Sequence, residues 1–127
     1  MKSTLNNNTT FKGLNIKIAL SEQNKWIENL RSLRGTELVE LDEDKIADSK
    51  TSAIGKWLYG KGKAVKHTKE YADLAAANAE FQQCVSTVIR YQKEKLFLSA
   101  IALIKEDLPK LSDDVRYKLQ ALTNSEK

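Results

Sequence analysis

Histidine and cysteine are the residues that most often bind transition metals or act as catalytic bases and nucleophiles. Each occurs once in the 127-residue sequence, as His67 and Cys84. A structural zinc site takes four nitrogen or sulfur ligands and a disulfide takes two cysteines, so we expect no metal, no cofactor and no intramolecular disulfide. We expect His67 at the surface and Cys84 as a buried, unreactive thiol. The sequence has no Ser-His-Asp set and no phosphate-binding glycine loop, so we do not expect an enzyme.

Three carboxamide residues lie on otherwise apolar helical stripes. Gln23 lies in the first predicted helix, and Asn78 and Gln82 lie four residues apart on one face of the third. A buried carboxamide costs a few kcal/mol unless it is hydrogen-bonded. The three residues therefore either form a shared polar cluster in the core or reach water at the edges of their stripes.

Apolar spacing predicts the elements that position these residues. The predicted helices cover residues 11–34, 53–59, from 65–68 to a break at 92–95, and 96–122. We expect Thr10 to cap the first helix and Gly35 to end it, and Thr51 or Ser52 to cap the second. Pro109 should kink the last helix or split it with Ser112 as a new N-cap. Residues 36–50, with six acidic and two basic side chains, are predicted to be a connecting loop.

The predicted inward positions of the last helix are mostly aliphatic: Phe97, Ala100, Ile101, Ile104, Leu108, Leu111, Val115, Leu119 and Leu122. Trp26, Trp57 and Tyr59 are expected to be core anchors. The chain has only five Gly and one Pro, which favours helices. We therefore predict an all-α fold, a four-helix antiparallel bundle with one short helix. Residues 1–10 are predicted to be a flexible tail and residues 11–127 one domain.

Charge and hydropathy limit the class of partner. No apolar run approaches the ~20 residues of a membrane span, and the N-terminus has no signal-peptide core, so we expect a cytoplasmic protein with no membrane partner. The net charge of +4 is mild, and nucleic acid is not an expected partner. Five lysines between residues 56 and 69 either neutralise the acidic segment or bind an anionic partner: Lys56, Lys61, Lys63, Lys66 and Lys69.

One segment resembles a known signature. Residues 52–62 read SAIGKWLYGKG, with Gly55, Trp57 and Gly60 in the most specific part. This resembles the chemoreceptor zinc-binding (CZB) domain family, whose signature is Cys, any residue, aliphatic, Gly, any residue, then an aromatic or aliphatic residue. Trp26 matches an upstream position, and the resemblance extends over residues 14–122.

The chain departs from that family at every zinc ligand. The resemblance implies that Gln23, Ser52, Asn78 and Gln82 occupy the positions of the ligating His, Cys, His and His. Carboxamides and a hydroxyl are poor zinc donors, so we expect no zinc. The site is then a structural polar network, a pocket for a small polar or anionic molecule or a buried water, or a vestige with no present role.

The resemblance implies a function in bacterial signal transduction related to chemotaxis. We expect a free-standing, zinc-free regulatory or protein-interaction module whose partner is another protein or a second copy, paired through Leu96, Leu98 and Leu103. Two alternatives stay open. The chain is a small-ligand-binding bundle that uses the former metal site, or a weak binder of anionic partners through residues 56–69.

Overall fold

The computed structural model describes residues 10–33 and 35–125. Their helices, in chain order, are α1 (Ile16–Leu30), α2 (Gly35–Glu40), α3 (Glu43–Ala47), α4 (Ala53–Leu58), α5 (Lys69–Lys93), α6 (Phe97–Ala102) and α7 (Leu108–Ser125). Short 3₁₀ turns cover Ser49–Thr51 and Lys61–Val65, and a π turn covers Leu103–Asp107. In this part of the chain the fold is all-α apart from one two-stranded ribbon, as the sparse Gly and Pro predict.

The predicted start of the first helix is wrong. Strand β1 (Thr10–Phe11) pairs with β2 (Leu14–Asn15), and Lys12 and Gly13 form the turn with positive φ angles of 46° and 92°. Helix α1 then begins after Asn15, whose side chain accepts a hydrogen bond from the Ile18 N–H. Most of the predicted flexible tail lies outside the described residues.

Residues 36–50 form short helices and are not a loop as predicted. Asp42 caps α3 by accepting from two backbone N–H groups, and Asp48 caps the turn that follows. Gly35 has the predicted left-handed φ of 58°, but it begins α2, because α1 already ends at Leu30.

The predictions of a short second helix and a long third helix are confirmed. Ser52 is the N-cap of α4, and α5 runs without interruption from the Thr68 cap to Lys93. The chain breaks at residues 94–96, where Lys95 has a φ of 66°. Leu74, Phe81 and Ile89 on the apolar face of α5 are fully buried and belong to the hydrophobic core.

The C-terminal helical region widens into the π turn just before Pro109 and then continues as α7. Pro109 lacks an N–H and clashes with the preceding turn, and a π turn relieves both problems. Ser112 lies inside α7, so the prediction that it starts a new helix is wrong. Phe97 and Ile101 are also not inward as predicted, since they are 43% and 44% exposed.

The described residues contain no helix that combines the length and the hydrophobicity needed to cross a membrane.

Candidate functional site

All four positions implied as former zinc ligands are buried. Gln23, Ser52, Asn78 and Gln82 are between 0% and 5% exposed. Their polar atoms therefore do not reach water at the edges of the apolar stripes, and their hydrogen bonds must come from inside the protein. Among the described residues, Gln23 Nε2 and Gln82 Oε1 are buried without a hydrogen-bond partner.

Ser52 links the start of α4 to α5. Its hydroxyl oxygen accepts the Gly55 N–H at 3.0 Å, as an N-cap should. The same oxygen lies 3.2 Å from the Ser49 carbonyl oxygen and 3.3 Å from Asn78 Oδ1. A hydroxyl has one proton, so it donates to one of these two acceptors at a time.

Three side chains on one face of α5 form what we call the α5 polar stripe: Asn78, Gln82 and Ser86. They are spaced by four residues and therefore lie above one another along the helix. Each donates to a backbone carbonyl of the segment 43–49: Asn78 to Ser49 at 3.2 Å, Gln82 to Ile46 at 3.0 Å and Ser86 to Glu43 at 2.8 Å. The stripe thus fastens the short helices to the long one.

Gln23 belongs to a different contact. Its Oε1 accepts a hydrogen bond of 3.3 Å from the Ser112 hydroxyl of α7. Its neighbour Glu22 accepts the Ala53 N–H at 3.0 Å. Ser52 and Asn78 are therefore in direct contact, whereas the side-chain hydrogen bond of Gln23 joins α1 to α7.

Gly55 has a steric reason for its place in the motif. A Cβ at this position would lie 1.6 Å from the Ser49 carbonyl oxygen. That carbonyl is the acceptor for Asn78 and lies within reach of the Ser52 hydroxyl. The absence of a side chain at Gly55 therefore allows the turn at Ser49–Thr51 to approach α4 and α5 together.

The aromatic residues of the motif divide between core and surface. Trp57 is 5% exposed and donates its indole N–H to the Lys12 carbonyl at 3.0 Å, so it anchors α4 to the ribbon as predicted. Gly62 packs on the Trp57 ring, where a Cβ would lie 2.8 Å from a ring carbon. Tyr59 is 48% exposed, so its predicted role as a core anchor is wrong. Gly60 follows α4 and has an unusual backbone conformation with ψ near −111°.

A cavity of about 350 Å³ lies beside Ser52 and Gln82. Glu22, Trp26 and Asn29 of α1 form much of the remaining wall. Trp26 is half-buried here and lines a cavity, unlike the fully packed Trp57. In the described part of the chain, Gln82 Oε1 is buried and lacks a hydrogen-bond partner.

The donor set at the four positions does not fit zinc. Zinc in proteins is bound by thiolate, imidazole or carboxylate groups. Here the amide nitrogens of Asn78 and Gln82 are donors to backbone carbonyls, and the lone pair of a neutral amide nitrogen is delocalised into its carbonyl group and is not available to a metal. Among the described residues, no group of three or more His, Cys, Asp or Glu side chains could hold a metal ion.

The remaining reactive side chains lie elsewhere. His67 is exposed, as predicted. Cys84 is partly buried, and burial, with a smaller contribution from Asp107, raises the pKa of its thiol to about 11. The thiol is therefore protonated at neutral pH, in agreement with the expected low reactivity.

Several residues of this polar network escaped the sequence interpretation. Ser86 continues the four-residue spacing of Asn78 and Gln82, a signal that could have found it. Gln92 donates to the Leu30 carbonyl at 2.7 Å, and Lys93 binds both the Leu41 carbonyl and Glu43. These two residues lie in the polar run that marked the helix break, where long-range partners have no local signature.

Comparison of the chain with protein-family models, with curated proteins and with solved structures finds no match.

Proposed function

We propose that this protein is a regulatory or protein-interaction module related to bacterial CZB signal-transduction domains. In this module, hydrogen bonds replace zinc in connecting the helices around the site. The support is the chemistry of the four implied ligand positions. All four side chains are buried and uncharged, and Ser52, Asn78 and Gln82 fasten the segment 46–55 to α5. Zinc would connect the same elements in the family that the sequence resembles.

We also propose that the helices form the predicted four-helix bundle. Helix α5 packs against α7 and α3, and α1 packs against α7 and α4. These contacts fit a four-helix antiparallel bundle in which α1, α5 and the α6–α7 region are the long members and α4 is the short one.

The observation that carries the interaction function is an apolar surface at the break after α5. Leu96, Phe97, Leu98 and Ile101 are between 43% and 85% exposed. Single exposed apolar residues are ordinary, but four within six residues form a patch of the kind found at protein interfaces. The predicted contact residue Leu103 is partly buried against the core and lies in a groove beside Cys84 and Leu111, so it is not part of this patch.

The partner that this surface fits best is a second copy of the chain. Exposed charges of both signs flank the patch in the sequence, with Glu94 and Lys95 before it and Lys105 and Glu106 after it. In a twofold dimer, residue i of one copy meets residue j of the other and residue j meets residue i, so a rim with charges of both signs can place acidic residues of one copy opposite basic residues of the other.

Size-exclusion chromatography with light scattering tests this proposal. We expect a dimer for the wild-type chain and a monomer for Leu98→Glu, because a carboxylate would be buried unpaired in the interface. Ile18→Glu is the matched control, since Ile18 is 61% exposed on α1. A monomeric wild-type chain, or a Leu98→Glu variant that dimerises as well as the control, would contradict the proposal.

The lysine-rich segment supports the anionic-partner alternative less well. All five lysines are exposed, and Lys69 forms an ion pair with Asp73 at 3.1 Å. Tyr59 is an exposed aromatic residue of this segment, but the Lys50 ammonium lies over its ring, 5.4 Å from the centroid, so one face of the ring is already occupied by a cation. Exposed lysines by themselves are ordinary solvated charges.

A further inference from the structure

A recess lies where the end of α1, the end of α5 and the α6 region meet, and we call it the α6 recess. Its volume is about 230 Å³. Ala100 and Ile104 line it and are buried, whereas Phe97 and Ile101 line it and are 43% and 44% exposed. Apolar side chains that remain exposed around a concave surface gain free energy when another apolar group covers them. The α6 recess therefore suits a small alkyl or aryl group.

The charged side chains of the α6 recess have one sign. Of the described residues that line it, Arg31 and Lys105 are charged, and both are exposed cations from different elements. Neither forms an ion pair with a described carboxylate. Glu106 follows Lys105 in the chain but is not among the lining residues. Two unpaired cations beside an apolar surface favour a ligand that carries an anionic group.

A second recess, with a volume of about 340 Å³, adjoins the first, because Phe97 lines both. Its lining includes the 71% exposed Val39. Its described charged residues are again cations: Lys93, which is paired with Glu43, and the exposed Lys95. The two recesses together thus extend the apolar surface and the positive charge past the Phe97 ring.

We propose that the α6 recess binds the carboxylate form of a medium-chain aliphatic acid. The alkyl chain would cover Ile101 and Ile104, and the carboxylate would lie between Arg31 and Lys105. An alkylammonium ion would be repelled by both cations, and an alcohol would gain no charge attraction from them. This inference goes beyond the interaction module proposed above and needs no second copy of the chain.

The test is an NMR titration of the full chain with labelled isoleucine methyl groups, in which Ile104→Val identifies the Ile104 signal. Sodium hexanoate, hexylammonium chloride and 1-hexanol share a chain length and differ in charge. We expect a saturable shift of Ile104 with hexanoate, at a dissociation constant of about 1 mM, and at least about fivefold weaker binding of the other two. Ile18, near the start of α1 and not among the lining residues, should not shift.

The length of the ligand tests the apolar part of the site. Each methylene that leaves water strengthens binding up to about fourfold, so sodium octanoate should bind roughly tenfold more tightly than hexanoate. Equal affinities of hexanoate and octanoate would show that the alkyl chain stays in water, and would overturn the proposal.

Two variants test the charged part. Arg31→Gln and Lys105→Gln should each weaken hexanoate binding about two- to fivefold. Lys17→Gln is the matched control, since Lys17 is an exposed cation of α1 outside the recess, and should leave binding unchanged. Hexylammonium or hexanol binding as tightly as hexanoate, or equal hexanoate binding by the wild-type chain and both recess variants, would contradict the assigned charge selectivity and overturn the proposal.

Phe97 and Ile101 also belong to the apolar patch, so a Leu98→Gln variant separates ligand binding from dimerisation. Leu98 does not line the recess, and we expect this variant to bind hexanoate as the wild-type chain does. Light scattering on the same samples gives the oligomeric state, so a monomeric wild-type chain that binds hexanoate contradicts the dimer alone. Binding by Leu98→Gln only would support the recess and show that dimerisation closes it. No saturable Ile104 shift in either chain would overturn the proposal.

Discussion

The side-chain amide of Asn78 donates a hydrogen bond of 3.2 Å to the backbone carbonyl of Ser49, 29 residues earlier in the chain. The Ser52 hydroxyl lies within hydrogen-bond distance of the same carbonyl oxygen. Since the carbonyl also lies against Gly55, one backbone oxygen joins the turn at Ser49–Thr51, the start of α4 and the middle of α5. The site is thus built from side chains that bind backbone.

Gly55→Ala should be strongly destabilising. The added Cβ would lie 1.6 Å from the Ser49 oxygen and 2.7 Å from its carbon, so the turn would have to move and its bond to Asn78 would be lost. We expect a loss of about 3 kcal/mol or more in the free energy of unfolding, although Ala is the better helix former. Urea denaturation gives this value.

Gly35→Ala is the control for this substitution. Nothing lies within 4 Å of a Cβ at Gly35, whose φ of 58° costs an alanine about 1–2 kcal/mol. A Gly55→Ala variant no less stable than Gly35→Ala would show that the approach of Ser49 is not required.

Gln82→Ala should cost about 1–3 kcal/mol in the free energy of unfolding, because the partly buried Ile46 carbonyl loses its side-chain donor. Gln83→Ala is matched in chemistry and helix position but exposed, and should change stability by less than about 0.5 kcal/mol. Thermal or urea denaturation compares the two. Equal losses would mean that the α5 polar stripe does not stabilise the fold.

The helices that were predicted correctly are those that depend on local sequence patterns, and the helices that were missed depend on contacts with residues far along the chain. The Ser52 cap and the apolar stripe of α5 are local patterns, and α4 and α5 were predicted from them, although the Thr68 cap was not. Helices α2 and α3 have six and five residues, too few for a clear period. Their attachment comes from Gln82, Ser86 and Lys93, far along the chain, and so residues 36–50 were mistaken for a loop.

The site was predictable as a set of residues but not as a geometry. Gln23, Asn78 and Gln82 stand out because amides are rare on apolar stripes. Their partners could not be read from the sequence, because most are backbone carbonyls, which every residue has. Ser112 was predicted to be a helix cap because its long-range partner leaves no local signal. Its hydroxyl in fact donates to Gln23, 89 residues earlier in the chain.

Cys84 should react slowly with iodoacetamide. Its pKa, raised from 9.0 to about 11 chiefly by burial, leaves a thiolate fraction about 100-fold smaller at pH 8 in the folded chain than in urea, and the thiolate is the nucleophile. Equal alkylation rates for the folded and the urea-unfolded chain would contradict the assigned environment.

The raised pKa of Cys84 also has a consequence for stability. The unfolded thiol ionises first as the pH rises, so the contribution of the folded thiol is complete below about pH 9 and is lost progressively towards pH 11. A Cys84→Ala variant should lose less stability over this interval than the wild-type chain, as urea denaturation at each pH would measure. An identical pH dependence would show that Cys84 is not the group responsible.

We propose that Gln23, Ser52, Asn78 and Gln82 occupy the positions that bind zinc in the CZB family, in a bundle that hydrogen bonds hold together. The most direct test of this proposal is the zinc content, after dialysis, of the wild-type chain and of the variant Gln23→His, Ser52→Cys, Asn78→His, Gln82→His, measured by metal analysis. We predict no tightly held zinc in the wild-type chain and one ion per chain in the variant, whose four N/S donors suit a tetrahedral site. One tightly held ion in the wild-type chain, or none in a variant that circular dichroism shows to be folded, would contradict the claim.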